Sequence, residues 1–391
     1  MLLPLAFVGG CSSLQDFFGT APNQRPAEVV VPLSERPVED PLSANHFVLE
    51  SPDQSVIGEP QVVYPNDTDT LSDLARAYGL GYDELIAANP DVNPWLPGAD
   101  TPVLLPTQFV IPDVAREGIV LNMASKRLFY FPAVAEGQPV LVKTFPIGIG
   151  RVGWETPLGA TEVVAKARDP HWYVPLSVRQ EHAELGDPLP SVVPPGPDNP
   201  LGHRVLKLEM PGYLIHGTNQ PYGVGMRVSH GCVRLYPENI EYLYELVEIG
   251  EVVTIINEPF LFGQRDGTVF FEGHTPLEDD VIDPVERLDL LLEQWNAALP
   301  DGFSDDEVAR IQAAAELGAG IPSRIEAGWP GDPLDRARVV RNTVEVDPEA
   351  PTLAEVREMI DEAVREAAEE EGETESEGGA SVPTDMSSSQ L

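Results

Sequence analysis

The chain has 391 residues, a formal net charge of −40 and 40 prolines. Its length allows two or three folded units with a sizeable core, and a proline share about twice the usual points to linkers and irregular loops. So large an acidic excess leaves no basic stripe for phosphates or anionic lipid, which argues against nucleic acid as a partner and against electrostatic attachment to a membrane.

In chain order, Met1 to Val8 is a short apolar run ahead of Gly9, Gly10 and Cys11. Val8-Gly9-Gly10-Cys11 resembles a bacterial lipobox, which implies lipidation of Cys11 and removal of what precedes it. The run is short and no Lys or Arg stands before it, so a plain export signal, an apolar terminus without a role, and a true start further upstream stay open. No later run is apolar over the roughly 18 residues a spanning helix needs. Residues 1–18 are thus an export region. Residues 19–60, with Pro22, Pro26, Pro32, Pro37, Pro41, Pro52 and Pro60, read as an extended tether. An ordered strap packed on the next unit is the alternative.

Thr70 and Asp73 form a helix start before Leu71, Leu74, Ala75 and Tyr78, which share one helical face. Gly79 and Gly81 end it, a second short helix runs from Tyr82 to Asn89, and strands follow near Val103–Leu105 and Phe109–Ile111. The segments D-T-L-S-D-L-A at 69–75, A-A-N-P at 87–90 and V-I-P at 110–112 resemble a LysM module. That resemblance implies a βααβ unit over 61–113 that contacts the N-acetylglucosamine of glycan strands. The intruding Pro65-Asn66 and the missing P-G-D turn leave open a unit that only docks its neighbour.

Ile119–Asn122, a turn at Ala124–Lys126 and Arg127–Phe131 form a hairpin, and Val140–Ile147 is a third strand. Gly148-Ile149-Gly150-Arg151-Val152-Gly153 fits G-x-G-x-x-G. A dinucleotide site also needs a helix there, and Pro157 and Gly159 stand in its place, so that reading is rejected. Residues 168–203 make a proline-rich excursion, and loops of that length are usually functional or disordered. His171, His182 and His203 read as ordinary surface histidines; His46 and His274 receive no role. Strands at Val205–Met210 and Tyr213–Ile215 deliver His216 to a strand end. Cys232 precedes a helix from Pro237 to Val247, whose positive end would favour a thiolate, and Val252–Asn257 is the last strand.

The chemistry concentrates in His216 to Leu235. Cys232 follows His230 by two positions, and an imidazole can take a thiol's proton or stabilise the thiolate. Buried packing, or zinc held by His216, His230 and Cys232, are the competing readings. His216-Gly217-Thr218 followed by Ser229-His230-Gly231-Cys232-Val233 is similar to the signature of the L,D-transpeptidase (YkuD) family, with Arg234 where other branches carry Asn. The similarity extends over about 62–258 and is nearest to the periplasmic Gram-negative branch.

This resemblance implies a mostly β protein, its catalytic β-sandwich or barrel spanning 114–260. It makes Cys232 the nucleophile and His216 its base, held by the Gly217 carbonyl. The Gly231 and Cys232 N–H groups form the oxyanion hole, and His230 shapes the pocket. Ser229, Thr218 and Arg234 touch substrate, with pairing to an acid on the next helix as the alternative for Arg234. No metal and no cofactor is called for. The excursion becomes a lid. The implied reaction is acyl transfer on peptidoglycan stem peptides: a thioester at the diaminopimelate–D-Ala bond passes to an amine of another stem or of an envelope lipoprotein. Water as acceptor, or a non-catalytic peptidoglycan-binding lipoprotein, are the alternatives. The expected location is the periplasm, lipid-anchored to the outer membrane, with no other membrane contact.

Beyond Pro259 the resemblance fades. Val285, Leu288, Leu291, Leu292 and Trp295 make an apolar stripe, and Ser304–Glu307 and Thr352–Glu355 make capping boxes. Residues 261–365 therefore read as an α-helical extension, and 366–391 as an acidic disordered tail.

Overall fold

The computed structural model describes residues 30–135, 137–299, 301–326 and 332–345. Cys11, the Thr352–Glu355 box and the tail lie outside the described residues. The first part holds β1 (His46–Val48), β2 (Val56–Gly58), β3 (Gln61–Val63), α1 (Leu71–Ala77), α2 (Tyr82–Ala88), β4 (Val103–Leu105) and β5 (Gln108–Val110). The β3-α1-α2-β4 order is the βααβ pattern read from the sequence, and α1 opens on a capping box between Thr70 and Asp73. From Val30 onward the expected tether is instead ordered. Its β1 pairs antiparallel with a strand of the main sheet, and Ala44 and Leu49 are buried. Prolines stiffen such a segment without preventing edge pairing.

The central part holds β6 (Gly118–Asn122), β7 (Arg127–Phe131), β8 (Leu141–Pro146), β9 (Ile149–Gly150), β10 (Gly159–Arg168), β11 (Trp172–Tyr173), α3 (Leu176–Glu184), β12 (Val192–Val193), β13 (Arg204–Leu208), β14 (Leu214–His216), β15 (Arg227–Ser229), β16 (Val233–Arg234), α4 (Pro237–Leu246) and β17 (Val252–Ile256). Nine strands form one sheet in the order β1-β8-β7-β6-β17-β10-β13-β14-β16. Side chains alternate across it as a pleated strand demands. Ile119, Leu121, Leu128 and Tyr130 join a core with Ile240, Leu243, Tyr244 and Val247, the stripe that seats α4. Val120, Phe129 and Phe131 point the other way and share a core with Leu71, Leu74 and Leu85 of the βααβ unit. The sheet is therefore covered on both faces, and the N-terminal unit is one of the covers.

A buried ion pair lies at that junction. Arg127, 1% exposed, meets Glu84 of α2 at 2.6 Å and stacks 3.9 Å over the Phe109 ring. Arg76 pairs with Glu238 of α4, and the Tyr82 N–H donates to the Val224 carbonyl just ahead of the nucleophile segment.

The last part differs from the helical extension expected over 261–365. Val252–Ile256 is not the last strand: β18 (Phe260–Arg265) and β19 (Thr268–Gly273) form a hairpin, followed by α5 (Pro284–Ala298), α6 (Asp305–Leu317), β20 (Ser323–Arg324) and β21 (Arg338–Val340). Asp266 and Gly267 both take positive φ, the turn whose twist suits two strands. The two helices pack on this hairpin, α6 opening on the Ser304–Glu307 box. β21 returns to add a parallel strand to β3. Among the described residues no helix is long and apolar enough to cross a membrane.

Candidate active site

Three pieces of backbone hold the His216–Cys232 region. β14 runs parallel to β16, with Ile215 beside Val233 and His216 beside Arg234. β9 runs parallel to β15, and Gly148 exchanges two backbone hydrogen bonds with Arg234. The loop from Ser229 to Cys232 is thus pinned on both flanks. Gly231 sits at φ +96°, a conformation that favours glycine, and a Cβ there would stand a tight 3.1 Å from a Tyr213 ring carbon. Its carbonyl accepts from the Thr156 hydroxyl at 2.8 Å.

Cys232 is the residue before β16, so the strand register sets it alongside Leu214, whose backbone N–H reaches the sulfur. The thiol contacts the Gly212 carbonyl at 3.6 Å. Burial pushes the thiol above its ordinary range, while the Leu214 N–H and the Arg234 guanidinium pull it back. His216 ends β14 and is 4% exposed. Its Nδ1 lies 2.6 Å from the Gly217 carbonyl. A carbonyl can only accept, so Nδ1 carries the proton and Nε2 is the free base. Burial foremost, then the charge on Arg234, pulls this imidazole down to about 3. The two shifts point in opposite directions, so the resting pair is a neutral thiol and a neutral imidazole. A helix terminus does not contribute through the chain as expected: α4 starts at Pro237, with β16 lying between it and Cys232.

Several sequence assignments change. Ser229, expected to touch substrate, is 2% exposed, and its hydroxyl donates to the Cys232 carbonyl at 2.5 Å and accepts from the Gly231 N–H at 3.2 Å. That second bond also uses the Gly231 N–H expected in the oxyanion hole. Among the described residues the Cys232 N–H meets no backbone acceptor, which leaves it as the available donor. Thr218 is buried and its hydroxyl accepts from the Gln220 N–H, closing a turn rather than facing a ligand. Arg234 is largely buried, its Nε without a partner. Of the acids on α4, Glu238 pairs with Arg76 and Glu245 with Arg168. His216, His230 and Cys232 do not converge on an ion: among the described residues no three His, Cys, Asp or Glu side chains do.

His230 has a setting that sequence reasoning missed. Its Nε2 lies 2.8 Å from Glu181 of α3 and 3.1 Å from Arg151, and Arg151 also pairs with Glu181. The Trp154 ring stands edge-on to the imidazole at 4.9 Å. Desolvation, only partly offset by the Glu181 hydrogen bond, lowers the His230 pKa. His182 is a neighbour at 6.0 Å between ring centres. After Gly150 the chain turns through Arg151–Trp154 with no helix, so the G-x-G-x-x-G segment serves the site as a tight turn.

Residues 116–255 match the model of the YkuD L,D-transpeptidase catalytic domain. The probable L,D-transpeptidase ErfK/SrfK of Salmonella typhimurium is 36% identical over 282 residues, covering 71% of this chain and 89% of the relative. The chain belongs to the L,D-transpeptidase family. It is a transpeptidase, an acyltransferase of a family in which dependence on cysteine is general. The probable L,D-transpeptidase YbiS of Escherichia coli K12 is 40% identical over 239 residues, 60% of this chain and 76% of the relative. Among solved structures, the catalytic domain of the E. faecium L,D-transpeptidase aligns at 21% identity and a TM-score of 0.28, covering 37% of this chain and 100% of that one.

Proposed function

We propose that this transpeptidase acts on peptidoglycan tetrapeptide stems with Cys232 as nucleophile. The sulfur attacks the diaminopimelate carbonyl, forming a C–S bond, and the C–N bond to the terminal D-Ala breaks. The thiol proton passes to Nε2 of His216 and then to the departing amine. An amine from another stem or from an envelope lipoprotein attacks the thioester, forms the new amide and returns the thiol. The observation that carries this reading is the pairing of β14 with β16, which brings Cys232 alongside a strand ending in a histidine whose tautomer the Gly217 carbonyl fixes. The Cys232 N–H is read as the oxyanion donor, a contribution worth ~3–4 kcal/mol where such donors have been removed. Arg234, with its unpartnered buried nitrogen, is read as the anchor for a stem carboxylate. The LysM-like unit is read as a support that fixes the catalytic sheet, since its core is shared with that sheet. Export to the periplasm with lipidation of Cys11 completes the reading.

The test is incubation of the full chain and of Cys232→Ala with purified sacculi, with and without a lysine-ended peptide, followed by mass spectrometry. New cross-linked or peptide-bearing muropeptides from the wild type alone support transfer. Tripeptide stems without transfer products mark water as acceptor, and identical products from both proteins defeat the catalytic reading.

A further inference from the structure

α3 lies within the excursion between β10 and β13, and little apolar surface holds it there. Val178 is its one buried residue, while the flanking Leu176 and Leu185 are largely exposed. Glu181 follows Val178 by three positions and so shares its face of the helix. That face meets the loop before Cys232 through Glu181, whose carboxylate contacts both His230 and Arg151. Apart from Val178, the contact of this helix with the nucleophile loop runs through that carboxylate.

The contacts also favour one His230 tautomer. Arginine only donates, so a bare Nε2 could accept from Arg151 at 3.1 Å, but it would then turn its lone pair on the Glu181 oxygen 2.8 Å away. With the proton on Nε2 the imidazole donates to the carboxylate, and Arg151 satisfies itself on the same carboxylate. Nδ1 is left as the ring's acceptor. His216 carries its proton on the opposite nitrogen, so the two imidazoles flanking the nucleophile are fixed in complementary tautomers.

We infer that Glu181 is a positioning residue of the transpeptidase: its carboxylate holds the His230 ring with the proton on Nε2 and thereby fastens the excursion against the Ser229–Cys232 loop. The inference rests on the acyl-transfer reading for its kinetic consequence, but not for the tautomer.

The experiment uses the full chain, ring-labelled with 15N at histidine, as wild type, Glu181→Ala and Glu181→Gln, with His230→Gln to assign the signals. Thioester formation with a tetrapeptide stem is followed by intact mass, giving kcat and KM. Glu181→Ala should lower kcat/KM about tenfold, the scale of a misplaced ring beside the nucleophile, and move the His230 signals away from the Nε2–H pattern. Glu181→Gln keeps an oxygen that can accept from Nε2–H, and should restore both readouts to within about threefold. An alanine variant with wild-type kinetics and unmoved His230 signals overturns the inference. So does a glutamine variant as impaired as alanine with His230 unmoved, which would mark a merely structural helix contact. A wild type that forms no thioester while the tautomer shift still appears in Glu181→Ala would sink the acyl-transfer reading and leave the positioning intact.

Discussion

Two histidines flank Cys232, and their surroundings differ in kind. His216 is buried at the end of β14 against a neutral carbonyl. His230 is partly exposed and held by a charged pair drawn from two other segments. Burial against a dipole keeps an imidazole neutral and aims one nitrogen, although it also weakens that nitrogen as a base. A charged clamp of half-exposed groups fixes a ring in space but adds little energy, because water screens it. The base is therefore built into the sheet, whereas the clamp depends on a helix brought in from outside it.

The largest effect expected from this contrast comes from exchanging the two rings for glutamine. His216→Gln should slow thioester formation by about 10²- to 10⁴-fold, the usual worth of a general base. His230→Gln should cost about tenfold, since it removes a positioned ring but leaves His216 as the general base. Stopped reactions read by intact mass measure both. Equal losses would dissolve the distinction.

The difference in setting also explains which parts of the site were legible in the sequence. His216, Gly217, Ser229, His230, Gly231 and Cys232 are close together in sequence and carry a recognisable spacing. Glu181 stands 49 positions from His230 and meets it only through the fold, in an excursion without periodicity. Ser229 shows the opposite failure: its identity was plain, but no sequence tells which way a hydroxyl points, and this one ties the loop together. In the fold, hydrophobic periodicity marked α1, α2, α4 and six strands of the main sheet (β6, β7, β8, β13, β14 and β17), but not β1, β10 or β16. The β18–β19 hairpin carried a readable signal in Asp266-Gly267 between apolar runs, which the helical stripes that follow had masked. β21 has three residues and no pattern of its own; only its pairing with β3 gives it meaning.

The next effect is on pH dependence. His216 in the folded chain takes a proton only near pH 3, against 6.5 for the unfolded chain. Between those values the unfolded state binds a proton that the folded state refuses, so stability is complete above about 6.5 and falls as the solution is acidified toward 3. The shift corresponds at most to ~5 kcal/mol. His216→Asn should flatten that part of a urea-unfolding series taken across the window. For the same reason, thioester formation should show no inflection near 6.5 from loss of the base. Cys232, with its thiol raised, should react with iodoacetamide at a rate still climbing beyond pH 9. An inflection at 6.5 in both profiles would mean that His216 is solvated like an ordinary imidazole.

The smallest effect belongs to the outer member of the clamp. Arg151 and Glu181 have side chains 37% and 29% exposed, so water screens much of their attraction. Arg151→Gln leaves Glu181 free to keep its hydrogen bond to His230, and thioester formation at pH 8 should change less than about fivefold. What the variant does remove is a positive charge that opposes protonation of His230. The His230 titration, followed by 15N shifts, should therefore move to higher pH. Added salt should shrink the difference between variant and wild type, because the lost interaction is one that ions already screen. A loss near a hundredfold, insensitive to salt, would instead place Arg151 against the substrate, and the clamp around His230 would then belong to the binding site rather than to its frame.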